Sequence, residues 1–142
     1  MRTLKRPITK ILLLAVMVVA FAPTGALATT AILFKTSSGN IQCSMVGSNL
    51  VAAAKCHAKV HDWAQPKSCP AGWQFAFMKT SLGTSHGSPT CVHGGFPATN
   101  RIILLGKKFT LGPITCTGSG SGVTCLSHHH GFFISRHSYK HI

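Results

Sequence analysis

Six cysteines, Cys43, Cys56, Cys69, Cys91, Cys116 and Cys125, constrain what this chain can fold into more than any other feature. All lie downstream of an apolar N-terminal stretch, and no Cys-x-x-Cys pair occurs among them. That spacing argues against a zinc ribbon or a thioredoxin-type redox couple and for three structural disulfides, which persist in an oxidising compartment. The segment ahead of them supplies the route there. Arg2, Lys5, Arg6 and Lys10 form a basic start, Ile11 to Phe21 an unbroken apolar run, and Ala26-Leu27-Ala28 a small-x-small cleavage site. The pattern predicts a signal peptide over 1–28, cut after Ala28, and a single secreted or periplasmic domain over 29–142. The apolar run is shorter than the roughly 20 residues that span a bilayer and no second stretch approaches that length, so the mature chain is expected to carry no transmembrane segment.

Arithmetic alone chooses no pairing among six cysteines, but local sequence does so for one pair. Ile114-Thr115-Cys116-Thr117 and Val123-Thr124-Cys125-Leu126 are β-branched or apolar and flank Gly118-Ser119-Gly120-Ser121-Gly122. A two-residue loop at Gly120-Ser121 sets Cys116 directly across from Cys125, where opposed Cβ atoms come within disulfide reach. Ile41 to Met45 and Leu50 to Cys56 read as a second hairpin, turning near Gly47-Ser48-Asn49. Phe34 to Thr36, Phe75 to Met78 and Ile102 to Leu105 are further strand-like runs, with Gly or Pro breaking the pattern between them. Val51 to Lys59 is the best helical candidate because of Ala52 to Ala54, but it is short. The expectation is an all-β domain, a small disulfide-stapled sandwich or half-open barrel built from short hairpins. Ser38-Gly39-Asn40-Ile41-Gln42-Cys43 also echoes Ser121-Gly122-Val123-Thr124-Cys125, which either two matched hairpins or, more simply, a convergent turn-then-Cys pattern would produce.

The order of these residues resembles a family of small secreted bacterial proteins, a domain of unknown function. The resemblance rests on Phe34 to Cys43 at the start, then Lys55-Cys56, Trp63, Pro66, Cys69, Trp73 and Cys91. The Cys116 to Cys125 hairpin follows, and Gly131-Phe132-Phe133-Ile134-Ser135-Arg136 with Tyr139 close it. That family opens on Phe-x-x-Pro-Ser-Gly-Asn-Ile-x-Cys and ends on Gly-Phe-x-x-Ser-Arg. The resemblance implies sequential bridges, Cys43–Cys56, Cys69–Cys91 and Cys116–Cys125, and brings no activity with it. Positions often acidic in the family are His57, Gly72 and Gly95 here, so a role resting on those carboxylates does not carry over.

Asp62 is the only carboxylate side chain in the sequence, against 14 Lys and Arg. Paired carboxylates for glycoside hydrolysis cannot be assembled from it, nor can a calcium or magnesium cage. With all cysteines bridged no thiolate nucleophile remains, and no Gly-x-Ser-x-Gly elbow is present for a serine triad. Asp62 is expected to be a turn residue paired with Lys59 or Lys67. The acid-free chemistry that survives is a ribonuclease working with two histidines and a lysine, yet no spacing selects a pair among the nine histidines.

Five of those histidines fall in the last fifteen residues, as His128-His129-His130, His137 and His141. In an extended segment His128 and His130 project to one face and offer two imidazoles to a transition metal; the alternative is a solvated turn beside Gly131. Removal of the signal takes the formal charge from +13 to +9. Lys107-Lys108 is the only adjacent basic pair in the mature chain, so the field is diffuse and favours an anionic envelope polymer or membrane surface over nucleic acid, for which Phe132, Phe133, Arg136 and Tyr139 would have to be exposed. An acidic habitat, in which one carboxylate leaves little to titrate, is a third account of the charge. These readings converge on a non-enzymatic binding or structural domain of the envelope without a cofactor. A histidine-based metal-binding protein is the alternative and an acid–base nuclease the third.

Overall fold

The computed structural model describes residues 28–64, 69–70, 73–81 and 87–142. Ala26 and the rest of the expected signal peptide up to 27 lie outside the described residues, and Ala28 is exposed non-regular chain. The described chain forms eleven strands and no helix: β1 (Thr30–Thr36), β2 (Ile41–Gly47), β3 (Ala52–Ala58), β4 (Trp73–Thr80), β5 (Ser88–His93), β6 (Ile102–Ile103), β7 (Lys108–Leu111), β8 (Ile114–Gly118), β9 (Gly122–Ser127), β10 (His130–Ser135) and β11 (Tyr139–His141). Six of them form one sheet in the order β5-β4-β3-β2-β1-β6, and five form the other in the order β11-β10-β9-β8-β7. The two sheets remain separate, which makes the domain a disulfide-stapled sandwich and not a half-open barrel.

The expected hairpins fold as local chemistry dictates. Cys116 pairs with Cys125 in register and Ser119 N–H donates to Gly122 O, leaving Gly120-Ser121 as the loop. The other hairpin turns slightly later than its sequence suggested. Ser48 N–H donates to Val51 O at 2.7 Å, and Ser48 Oγ accepts from the Leu50 and Val51 amides, so Asn49-Leu50 is the loop. Gly47 instead ends β2 at φ +152°, where an added Cβ would lie 2.2 Å from Val51 O. The helical candidate Val51 to Lys59 is strand β3. Its alanines favour a helix, but Ala52 and Ala54 are almost fully buried in the sandwich interior, and packing outweighs propensity.

All three bridges join Cys43–Cys56, Cys69–Cys91 and Cys116–Cys125, the order the family resemblance implies. Two of them organise the core. In the six-stranded sheet Phe34, Cys43, Cys56 and Phe77 stand in one cross-strand row. In the five-stranded sheet Phe109, Cys116, Cys125 and Phe132 do the same. The rows face one another. Phe34 lies 4.9 Å from Phe109 by ring centroid, Cys56 Sγ 3.8 Å from Cys125 Sγ, and Phe77 6.0 Å from Phe132. Phe34, Cys56, Phe77, Cys116, Cys125 and Phe132 are all fully buried. The sequence echo, which aligns Cys43 with Cys125, does not match these rows, since Cys43 lies on the first strand of its hairpin, Cys125 on the second strand of its own, and Cys125 faces Cys56.

β5 and β6 sit at opposite edges of their sheet, so residues 94–101 cross its outer face as a strap. Phe96 packs at a tilt on His57, with ring centroids 4.2 Å apart, Thr99 Oγ1 donates to Leu33 O, and Lys35 N–H donates to Arg101 O. His57, opposite Gln42 on that outer face, is thereby buried.

Candidate functional site

The outer face of the five-stranded sheet has a different character. Register places Lys108 opposite Thr117, Thr117 opposite Thr124, Thr124 opposite Phe133 and Phe133 opposite Lys140. One row therefore crosses all five strands. With strands about 4.8 Å apart, its two lysines stand about 19 Å from each other. Both lysines are exposed, while Thr117, Thr124 and Phe133 are half-buried between them. Beside this row Thr110 and Thr115 share a hydroxyl hydrogen bond of 3.1 Å on the same face. The alternation of the strands causes the segregation. Phe109, Cys116, Cys125 and Phe132 point in, so their neighbours in sequence must point out.

Electrostatically this face carries cations and no acidic side chain. Asp62 stands elsewhere, in the turn after β3, with its Oδ2 2.6 Å from His137 Nδ1 and its Oδ1 3.5 Å from Arg136 Nε. Among the described residues its side-chain partners are His137 and Arg136, on a turn some 75 residues along the chain, and not the expected Lys59; Lys67 lies outside the described residues. The hydrogen bond from His137, and after it the nearby Arg136, lower the Asp62 carboxyl below its ordinary pKa. Asp62 N–H also donates to Arg136 O, which ties the two turns together.

The histidine-rich end does not form the extended chelate. His128 and His129 are the two-residue loop of the β9–β10 hairpin, with φ of 53° and 82°. His130 opens β10 opposite Ser127. His128 is thus a turn residue, and its Nδ1 lies 3.2 Å from Ser127 Oγ. A two-residue hairpin loop wants positive φ at both positions, and histidine enters that region more readily than most side chains. Among the described residues no group of three or more His, Cys, Asp or Glu is placed to hold a metal.

The aromatic residues that an exposed nucleic-acid surface would need are divided. Phe132 is core, and Tyr139 packs partly buried against Trp63 and Phe77. Phe133 alone of the three rings reaches the outer face. The signal that separates it from Phe132 is its pairing with Thr124 and not Cys125. Of the adjacent basic pair, Lys107 is a turn residue and Lys108 begins the row.

Comparison of the chain with protein-family models, curated proteins and solved structures yields no match. Among the described residues no helix is long and apolar enough to cross a membrane.

Proposed function

We propose that this chain is a non-enzymatic binding domain of the cell envelope, secreted or periplasmic, whose five-stranded sheet lies along an acidic glycan. The observation that carries this reading is the row Lys108–Thr117–Thr124–Phe133–Lys140 on a face without acidic side chains. A half-exposed ring offers a stacking platform for a sugar, flanking threonine hydroxyls exchange hydrogen bonds with its hydroxyls, and the two edge lysines meet acidic groups spaced along the polymer. Three disulfides suit the oxidising compartment in which such a polymer is found. The net charge of +9 expected for residues 29–142 adds long-range attraction for a polyanion.

The test is binding of the oxidised mature protein to immobilised polygalacturonate, with dextran as the neutral control. Retention on the acidic polymer that falls as salt rises, with none on dextran, is the expected result. Lys108→Gln with Lys140→Gln should weaken binding about tenfold, and Phe133→Ala by a similar factor. Tighter binding to poly(U), lost with Phe133→Ala, would transfer the face to single-stranded nucleic acid. Equal retention of wild type and both variants would remove the sheet face from the account.

A further inference from the structure

A concavity lies at the end of the sandwich away from the His128–His129 turn. It is a half-open groove of about 630 Å³, within the range of roughly 300–1,000 Å³ typical of small-molecule sites. Its floor includes Ile103, which is 3% exposed, and its sides include Val60, Leu104 and Leu105 at 55%, 60% and 78%. Ser38 and Ser121 stand at its rim, and Arg136 also lines it.

These apolar walls are held in place by backbone constraints, which is why they can remain exposed. Asn40 clamps Val60 from both sides, its Nδ2 donating to Val60 O and its Oδ1 accepting from Val60 N–H, each at 2.9 Å. The turn bearing Leu104 and Leu105 is closed by Lys107 N–H donating to Leu104 O and pinned by Gly106 N–H donating to Gly118 O. Gly118 makes that approach possible, since a Cβ there would come within 2.3 Å of Leu104 O. Contiguous exposed apolar side chains around a concavity mark a site where a ligand covers them.

The lining selects the ligand's chemistry. An aliphatic chain covers Val60, Leu104 and Leu105, whereas a hydrophilic polymer would leave them wet. Among the described lining residues the charged group is the Arg136 guanidinium, whose Nε faces Asp62 Oδ1 at 3.5 Å; its Nη groups remain to form the fork that carboxylates fit. We propose that this groove binds a free aliphatic carboxylate. The chain lies over Ile103 between Val60 and the Leu104–Leu105 turn, and the acid group rests on the Nη edge of Arg136. The site is separate from the glycan-binding face and does not depend on it.

Calorimetric titration of the oxidised mature protein with decanoate and with decanol tests the proposal. Decanoate should bind with one-to-one stoichiometry and decanol about tenfold more weakly, because a hydrogen bond to a charged group is the difference between them. Arg136→Gln should bring decanoate to the decanol level and leave decanol unchanged. Leu105→Ser, at a position too exposed to endanger folding, should weaken both ligands severalfold, and Lys108→Gln with Lys140→Gln should change neither. Absence of saturable decanoate binding, equal affinity for the alcohol, or indifference to Leu105→Ser would overturn the proposal. So would binding only to phosphatidylglycerol vesicles, which would make the leucine turn a bilayer-inserting tip.

Discussion

Cys56 Sγ lies 3.8 Å from Cys125 Sγ, so two disulfides from opposite sheets touch at the centre of the sandwich. Each bridge spans neighbouring strands, with Cα–Cα distances of 4.1 and 4.0 Å, while their sulfurs fill the space between the sheets. The bridges are therefore core as well as covalent staples.

That double role reverses an order that loop closure alone would set. By chain entropy the Cys69–Cys91 bridge, with a separation of 22 residues, stabilises by about 3.4 kcal/mol and Cys116–Cys125, with a separation of 9, by about 2.6 kcal/mol. Cys116 and Cys125 are fully buried, whereas Cys69 and Cys91 are only partly so. Removing a buried heavy atom costs about 1 kcal/mol more for each cysteine. Paired Cys→Ala replacement should thus cost about 4–5 kcal/mol at Cys116 and Cys125 and about 3 kcal/mol at Cys69 and Cys91. Urea denaturation of both variants checks this, and the larger loss at the longer loop would show that packing of the sulfurs contributes little.

His57 sets the acid sensitivity. Burial under the strap, and after it the charge of Lys59, lower its pKa from 6.5 to about 4. The folded state thus holds the ring neutral where the unfolded chain binds a proton. Stability is unaffected above pH 6.5, declines as pH falls from 6.5 to 4, and is level again below that, with a total loss of about 3 kcal/mol. Denaturation at pH 7.5 and pH 4 should show this loss in the wild type and less than about 1 kcal/mol in His57→Gln. Equal losses in both proteins would assign the acid sensitivity to the remaining histidines as a group.

Gly131 is expected to tolerate no side chain. A Cβ there would fall 1.9 Å from Cys125 O and 2.9 Å from its carbonyl carbon, both backbone atoms of the paired strand. The same residue exchanges two backbone hydrogen bonds with Ile142, its amide donating to Ile142 O and its carbonyl accepting from Ile142 N–H. Gly131→Ala must push β9 and β10 apart or break that pairing. A loss of about 3 kcal/mol or more in denaturant unfolding is the expected outcome; a loss below 1 kcal/mol would mean that the strands part freely here.

What the sequence made legible was local. The Gly118 to Gly122 run forces a tight turn, and the turn forces Cys116 opposite Cys125, so that hairpin is read from ten residues. β3 was ambiguous because Ala52 to Ala54 favour a helix in isolation, and only burial between two sheets decides for a strand. The outer-face row escaped detection because Lys108, Thr117, Thr124, Phe133 and Lys140 come from five strands whose register no single stretch encodes. Asp62 escaped for the same reason, its partners lying on a turn that sheet pairing brings close. His57 was singled out only as a departure from an acidic family position; its burial depends on a strap that crosses from one sheet edge to the other.

The His128-His129 loop yields the last prediction. Both residues occupy the left-handed region, at φ 53° and 82°, which costs a side-chain-bearing residue of order 1 kcal/mol and asparagine or glycine less. Both are exposed, and the Ser127–His130 pairing that flanks them is complete without their imidazoles. Replacing His128-His129 with Asn-Gly should therefore raise stability by about 1 kcal/mol, while Ala-Ala should lower it by a similar amount. These opposite signs separate backbone conformation from side-chain contact, because both variants delete the same two rings. Thermal denaturation at pH 7.5 without added metal reads the difference. Equal destabilisation by the two variants would mean that the imidazoles themselves hold the turn, through contacts such as that between His128 Nδ1 and Ser127 Oγ.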